Sequence, residues 1–97
     1  MERLSTEQKY LLKELRESRA ADRVDFLFKR NLETWESLQF VFVDDISGTE
    51  AFCEIHYDSP SKKYQLFKLV PVEQFWNSIN YITSKVNQVL KDLNARG

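Results

Sequence analysis

The sequence is poor in the residues that staple and punctuate small proteins, with one cysteine, one histidine, two glycines and two prolines in 97 residues. A single cysteine, Cys53, excludes an intramolecular disulfide framework and a four-ligand structural zinc cluster, and it fits a reducing compartment. Two glycines and two prolines are too few for the many tight turns of an all-β sandwich or barrel. No apolar run approaches the ~20 residues of a membrane span, and residues 1–10 are too polar for a secretory leader, so no membrane is expected and the expected location is cytoplasmic. Basic charge is missing from the centre of the chain: residues 31–60 contain Glu33, Glu36, Asp44, Asp45, Glu50, Glu54 and Asp58 and neither Lys nor Arg. Both flanks carry a basic excess, which brings the chain to a net charge of -1. Such segregation can steer a charged partner toward one face, or it can reflect an acidic sheet lying against more basic helices.

What the chain does have is aromatic residues, seven Phe, four Tyr and two Trp, within a composition that is 42% hydrophobic and 30% charged. Large aromatic side chains let a short chain build a substantial core, and this length suits one core and one domain spanning 1–97.

The local patterns predict an α+β fold. Ser5 followed three residues later by Gln8 is a capping box, and Leu4, Leu11 and Leu15 then share one face of a helix expected over 5–20. Val24, Phe26 and Phe28 alternate with Arg23, Asp25 and Lys29, which favours a strand over 24–29 with a turn at Arg30 and Asn31, although a helical spacing also fits. Leu38 to Val43 is apolar on both faces and reads as a central strand. Asp44, Asp45, Ser47 and Gly48 supply a turn, after which Ala51, Cys53, Ile55 and Tyr57 alternate with Phe52, Glu54 and His56. A second turn at Asp58–Ser61 leads to a last strand, with Tyr64, Leu66 and Lys68 opposing Gln65, Phe67 and Leu69. The sheet of three or four strands over 24–70 is therefore an antiparallel meander.

Pro71 is expected to open a final helix over 71–94, with Glu73 in its first turn. Val72, Phe75, Ile79, Ile82, Val86, Val89 and Leu93 recur at alternating spacings of three and four, and Trp76 and Leu90 widen that apolar seam. From Val72 to Leu93 such a helix spans about 33 Å against about 20 Å for a six-residue strand, so it is expected to overhang the sheet. The overhang admits two packings. Val86, Val89, Leu90 and Leu93 either meet the N-terminal helix within one monomer or form the seam of a homodimer. The full expectation is an N-terminal helix, a meander and a long C-terminal helix in two layers, with both helices on one sheet face.

No catalytic signature emerges. Cys53 and His56 are an odd number of residues apart on a strand, so they face opposite sides and cannot form a nucleophile and base pair. Cys53 shares its face with Ala51 and Ile55 and reads as a small buried hydrophobe. Glycine-rich phosphate loops, nucleophile elbows and zinc-binding His-Glu-x-x-His segments are absent, and no cofactor or metal is expected. The Asp44–Glu50 cluster lacks the order of a calcium loop. The expected function is a small non-enzymatic interaction or regulatory module that binds a partner protein through an acidic, partly apolar sheet face bearing Phe52, Glu54, His56 and Asp58. The alternative is a nucleic-acid binder using the basic first helix with Lys62, Lys63 and Lys68, but a pI of 5.8 lacks the basic footprint of that class.

Overall fold

Ser5 and Gln8 build the start of the first helix as their spacing predicts. In the computed structural model, which describes residues 3–72 and 79–96, the Gln8 N–H donates to Ser5 Oγ at 3.1 Å and the Ser5 N–H donates to Gln8 Oε1 at 3.0 Å. Helix α1, Thr6–Glu17, buries Gln8, Leu11 and Leu15. It stops short of residue 20 because Ser18 closes it: the Ser18 N–H donates to Glu14 O and its hydroxyl to Leu15 O. Arg19 then adopts a left-handed φ of 58°, which no helix continues.

Four strands follow, β1 (Arg23–Asn31), β2 (Trp35–Asp44), β3 (Thr49–Asp58) and β4 (Lys63–Pro71). They pair in chain order, each neighbour antiparallel, as the expected meander. The first connection lies beyond Asn31 rather than at Arg30 and Asn31, closed by the Leu32 N–H to Trp35 O. The other two are four-residue loops of one design. The Gly48 N–H donates to Asp44 O with Gly48 at φ 73°, and the Lys62 N–H donates to Asp58 O with Lys62 at φ 59°. Lys62 thus holds a left-handed conformation that glycine takes at lower cost.

Pro71 does not open a helix. It ends β4 opposite Ala51, at an edge where a missing N–H costs nothing, and the next N–H, that of Val72, donates to Glu50 O. The expected roles of Glu73, Phe75 and Trp76 lie outside the described residues. Helix α2 runs Ile79–Arg96. Its 18 residues span about 27 Å, no more than the strands at about 30 Å, so the described helix does not overhang the sheet.

Both helices cover one face, α1 lying by β1 and α2 by β4. Leu11 and Leu15 of α1 meet Leu38, Phe40, Phe42 and Ile55 of the sheet and Ile82 and Val86 of α2 in one core cluster. The β4 edge is blunted by α2. The Asn94 side chain mimics a neighbouring strand, accepting the Tyr64 N–H and donating to Tyr64 O, both at 2.8 Å. No helix among the described residues is long and apolar enough to cross a membrane.

Candidate functional site

Among the described residues the helices leave the other sheet face open, and the strand register decides what it displays. From β2 and β3 it receives Val41, Gln39, Ser37 and Trp35 beside Phe52, Glu54, His56 and Asp58. Strict alternation on the edge strands would keep Phe28 with the core and Lys29 on the open face. Two β-bulges change this, and they lie on the same row of the sheet. On β1 the register shifts at Leu27, so Leu27 and Phe28 stand together against Gln39 and Lys29 turns inward opposite Leu38. On β4 it shifts at Phe67, so Phe67 and Lys68 stand together against Glu54, and Leu69 turns inward opposite Cys53. The expected grouping of Lys68 with Tyr64 and Leu66, and of Leu69 with Phe67, is therefore corrected beyond the bulge. An extra residue in a strand resets every side chain after it.

The result is an apolar surface flanked by aromatic rings. Phe67 is 62% exposed, Phe52 50%, Phe28 42% and Val70 40%. Toward the Asp58 end, the His56 ring stacks on Phe67 at 4.2 Å between centroids and meets Trp35 at 4.4 Å in a tilted contact. Glu54 Oε2 lies 2.5 Å from His56 Nε2, which fixes the ring between its aromatic neighbours. Between this stack and Phe52 lies a hollow of about 330 Å³ walled by Phe52, Val70, Glu54 and Lys68 and floored by Gln39. Ser37 is 3% exposed and in register with Arg30 and His56; among the described residues its hydroxyl is buried without a hydrogen-bond partner.

The face brings together Phe52, Glu54 and His56 as the sequence suggests, but its electrostatics differ from the expected acidity. Glu54 is opposite Lys68 and Asp58 opposite Lys63 across the β3–β4 ladder. Arg23 and Arg30 stand on the same face of β1. Asp58 is occupied by its turn: its carboxylate accepts the Ser61 N–H at 2.9 Å, and the Ser61 hydrogen bonds hold its pKa below the usual carboxylate range. The face thus carries charges of both signs, with aromatic rings as its distinguishing chemistry. Phe28, Trp35 and Val70 were not among the residues picked out by sequence. The available signal was the break in alternation at Leu27–Phe28, where two large apolar residues adjoin.

The other sequence candidates fall elsewhere. Val86, Val89, Leu90 and Leu93 are buried within the chain, at most 9% exposed, so α2 packs by the internal route and offers no free seam. Lys63 leaves the open face, its ammonium donating to Asn94 O at 3.0 Å. Lys62 lies in the β3–β4 loop, and of the three lysines Lys68 alone stands beside the hollow. Among the described residues no three His, Cys, Asp or Glu side chains converge as metal ligands.

Cys53 is on the core face, 2% exposed, and burial followed by the nearby Glu54 charge pushes its thiol up to about 12. Because the thiolate is the nucleophile, Cys53 is inert in the folded protein. Ellman's reagent is expected to label no thiol in the native chain at pH 8 and one per chain in denaturant; fast native labelling would show that the sheet opens. No protein-family model, no curated protein and no solved structure matches the chain.

Proposed function

We propose that the protein is a small non-enzymatic interaction module that binds a partner protein through the open face of its sheet. One observation carries the reading: the two edge-strand bulges place exposed rings, Phe28 and Phe67, around the half-exposed Phe52 on the face that neither α1 nor α2 covers. Bulges that re-aim side chains are characteristic of functional surfaces, and a contiguous apolar patch rimmed by polar groups is the usual mark of an interface. Aromatic rings are also the side chains that dominate binding energy at such interfaces. Cys53 is inert and faces the core, away from the His56 ring held between Trp35, Phe67 and Glu54, which supports the non-enzymatic part. The buried free thiol fits a cytoplasmic setting.

Nucleic-acid binding has weaker support, because Lys63 is tied to Asn94 and the carboxylates of β3 line the same surface. A photocrosslinking amino acid placed at position 67 separates the two readings. Crosslinks in the host cell are expected to join the chain to protein, while the same group at the exposed Glu17 of α1 gives none above background. Crosslinks to nucleic acid only, or equal yields at 67 and 17, would overturn the proposal.

A further inference from the structure

Beyond the protein interface, we infer that the hollow beside Phe52 binds a free α-amino acid whose side chain is apolar and of Leu, Met or Phe size.

One extra residue builds the site. Without the bulge at Phe67, strict alternation from Leu66 would bring Leu69 to the open face and turn Lys68 and Val70 toward the helices. With it, Lys68 stands across from Glu54 and Val70 across from Phe52, and all four line the hollow with Gln39, which pairs with Glu54 from the other side. Bulges that re-aim side chains in this way are characteristic of functional sites. The volume of about 330 Å³ falls at the small end of the roughly 300–1,000 Å³ range of small-molecule sites, so it suits one amino acid rather than a nucleotide.

Two rows of side chains divide the hollow. Gln39, Glu54 and Lys68 form a polar row across β2, β3 and β4, and Phe52 and Val70 form an apolar row two residues away along the strands. Such rows lie about 7 Å apart, a gap that a side chain of this size bridges from its own Cα. The polar row holds both signs and has spare hydrogen-bonding groups. The Glu54 carboxylate is drawn along its own strand to His56, with Oε2 at 2.5 Å from Nε2, and makes no ion pair with Lys68. Among the described residues, Lys68 and the Gln39 side chain have no hydrogen-bond or ion-pair partner, and Glu54 Oε1 accepts no hydrogen bond.

That set of groups selects the ligand. An α-amino acid carries its carboxylate, its ammonium and its side chain on one carbon. Its carboxylate meets Lys68 and the Gln39 amide, its ammonium meets Glu54, and its side chain covers Phe52 and Val70, which are 50% and 40% exposed. Hydrogen bonds between ionised partners are the stronger ones. A simple anion would satisfy Lys68 but face Glu54 and leave the apolar row bare. A neutral hydrophobe would strip water from Lys68 and Glu54 without replacing it. Because the hollow opens to solvent and the ligand is small, the expected dissociation constant is roughly 0.1–1 mM.

Titration of the isotope-labelled full chain with L-leucine, followed by backbone-amide NMR shifts, tests the site. Saturable shifts are expected at Phe52, Glu54, Lys68 and Val70 and none at Tyr81 on the helical side. L-leucinamide, which lacks the carboxylate, and N-acetyl-L-leucine, which lacks the ammonium, are expected to bind at least about tenfold more weakly, the loss of one hydrogen bond to a charged group. Lys68→Met, at an exposed position, weakens L-leucine by about tenfold but does not weaken L-leucinamide, since the variant and the amide remove two halves of one contact. Absence of saturable shifts at tens of millimolar L-leucine overturns the inference. Equal responses to all three ligands overturn it too, as does a Lys68→Met chain that weakens leucine and leucinamide alike. Crosslinks from position 67 are read separately, so the amino-acid site and the protein interface can fail independently.

Discussion

Val86→Asp is expected to unfold the chain at room temperature. Val86 is completely buried, in the cluster that also holds Leu11, Leu15, Ile82 and Leu90. A carboxylate there would have to ionise in a dry interior without a partner or stay protonated with an unsatisfied hydroxyl. Either alternative costs more than about 4 kcal/mol, a large share of the roughly 5–15 kcal/mol that holds a small domain folded. The measurement is a urea titration followed by far-UV circular dichroism, with Tyr81→Asp as the reference. Tyr81 is 52% exposed near the start of α2, where an acid is tolerated by the helix dipole, and its replacement is expected to shift stability by no more than about 0.5 kcal/mol. The contrast separates the two packings that an apolar seam allows. A Val86→Asp chain that remains folded but loses self-association would place the seam between chains; an unfolded one places it in the monomer core.

The distinction was beyond the sequence, because periodicity shows which face of a helix is apolar and not what lies against it. The capping box of Ser5 and Gln8, the alternation of Ala51, Cys53, Ile55 and Tyr57, and the two turns at Asp44–Gly48 and Asp58–Ser61 were legible, since each rests on contacts within a few residues. The layer arrangement followed from them. Pro71 misled for a physical reason: a residue without an N–H suits both the first turn of a helix and the end of an edge strand, and only its partner Ala51 decides. The candidate face was half legible. Phe52, Glu54 and His56 lie on β3, the strand with two neighbours and no bulge of its own, so simple alternation placed them. Phe28 and Lys68 lie on edge strands past an extra residue, where alternation changes phase without any local marker as plain as a glycine. The acidity of the face is tempered for a similar reason. The run without Lys or Arg ends at residue 60, but the lysines of β4 return in space to stand opposite β3.

Glu36→Gln is expected to cost about 3–5 kcal/mol, and Lys29→Met added to it is expected to recover most of that loss. The bulge that turns Phe28 outward turns Lys29 inward, where its side chain is 8% exposed. There its ammonium donates to Arg3 O at 3.0 Å and lies 3.1 Å from Glu36 Oε2. The second Glu36 oxygen accepts Gln8 Nε2 at 2.8 Å, and Gln8 is the residue that closes the cap of α1. One ion pair therefore couples the β1 bulge, the central strand and the first turn of the helix. Glutamine at 36 retains an acceptor for Gln8 but leaves the buried ammonium without a counter-charge, the costlier half of breaking a buried pair. Replacing Lys29 by methionine as well removes the stranded charge, fills the same volume and keeps the bond between the two amides. Urea melts of the wild type, both single variants and the double variant form a thermodynamic cycle, with an expected coupling above about 1 kcal/mol. Simple additivity would mean that the pair is not buried as a unit, and that α1 is held to the sheet by its apolar face and by Arg16, which donates to Val24 O. A large coupling would instead tie the open face to the covered one. The inward turn of Lys29 and the outward turn of Phe28 are two consequences of one extra residue, so the pair that holds Lys29 under α1 also holds Phe28 on the binding surface.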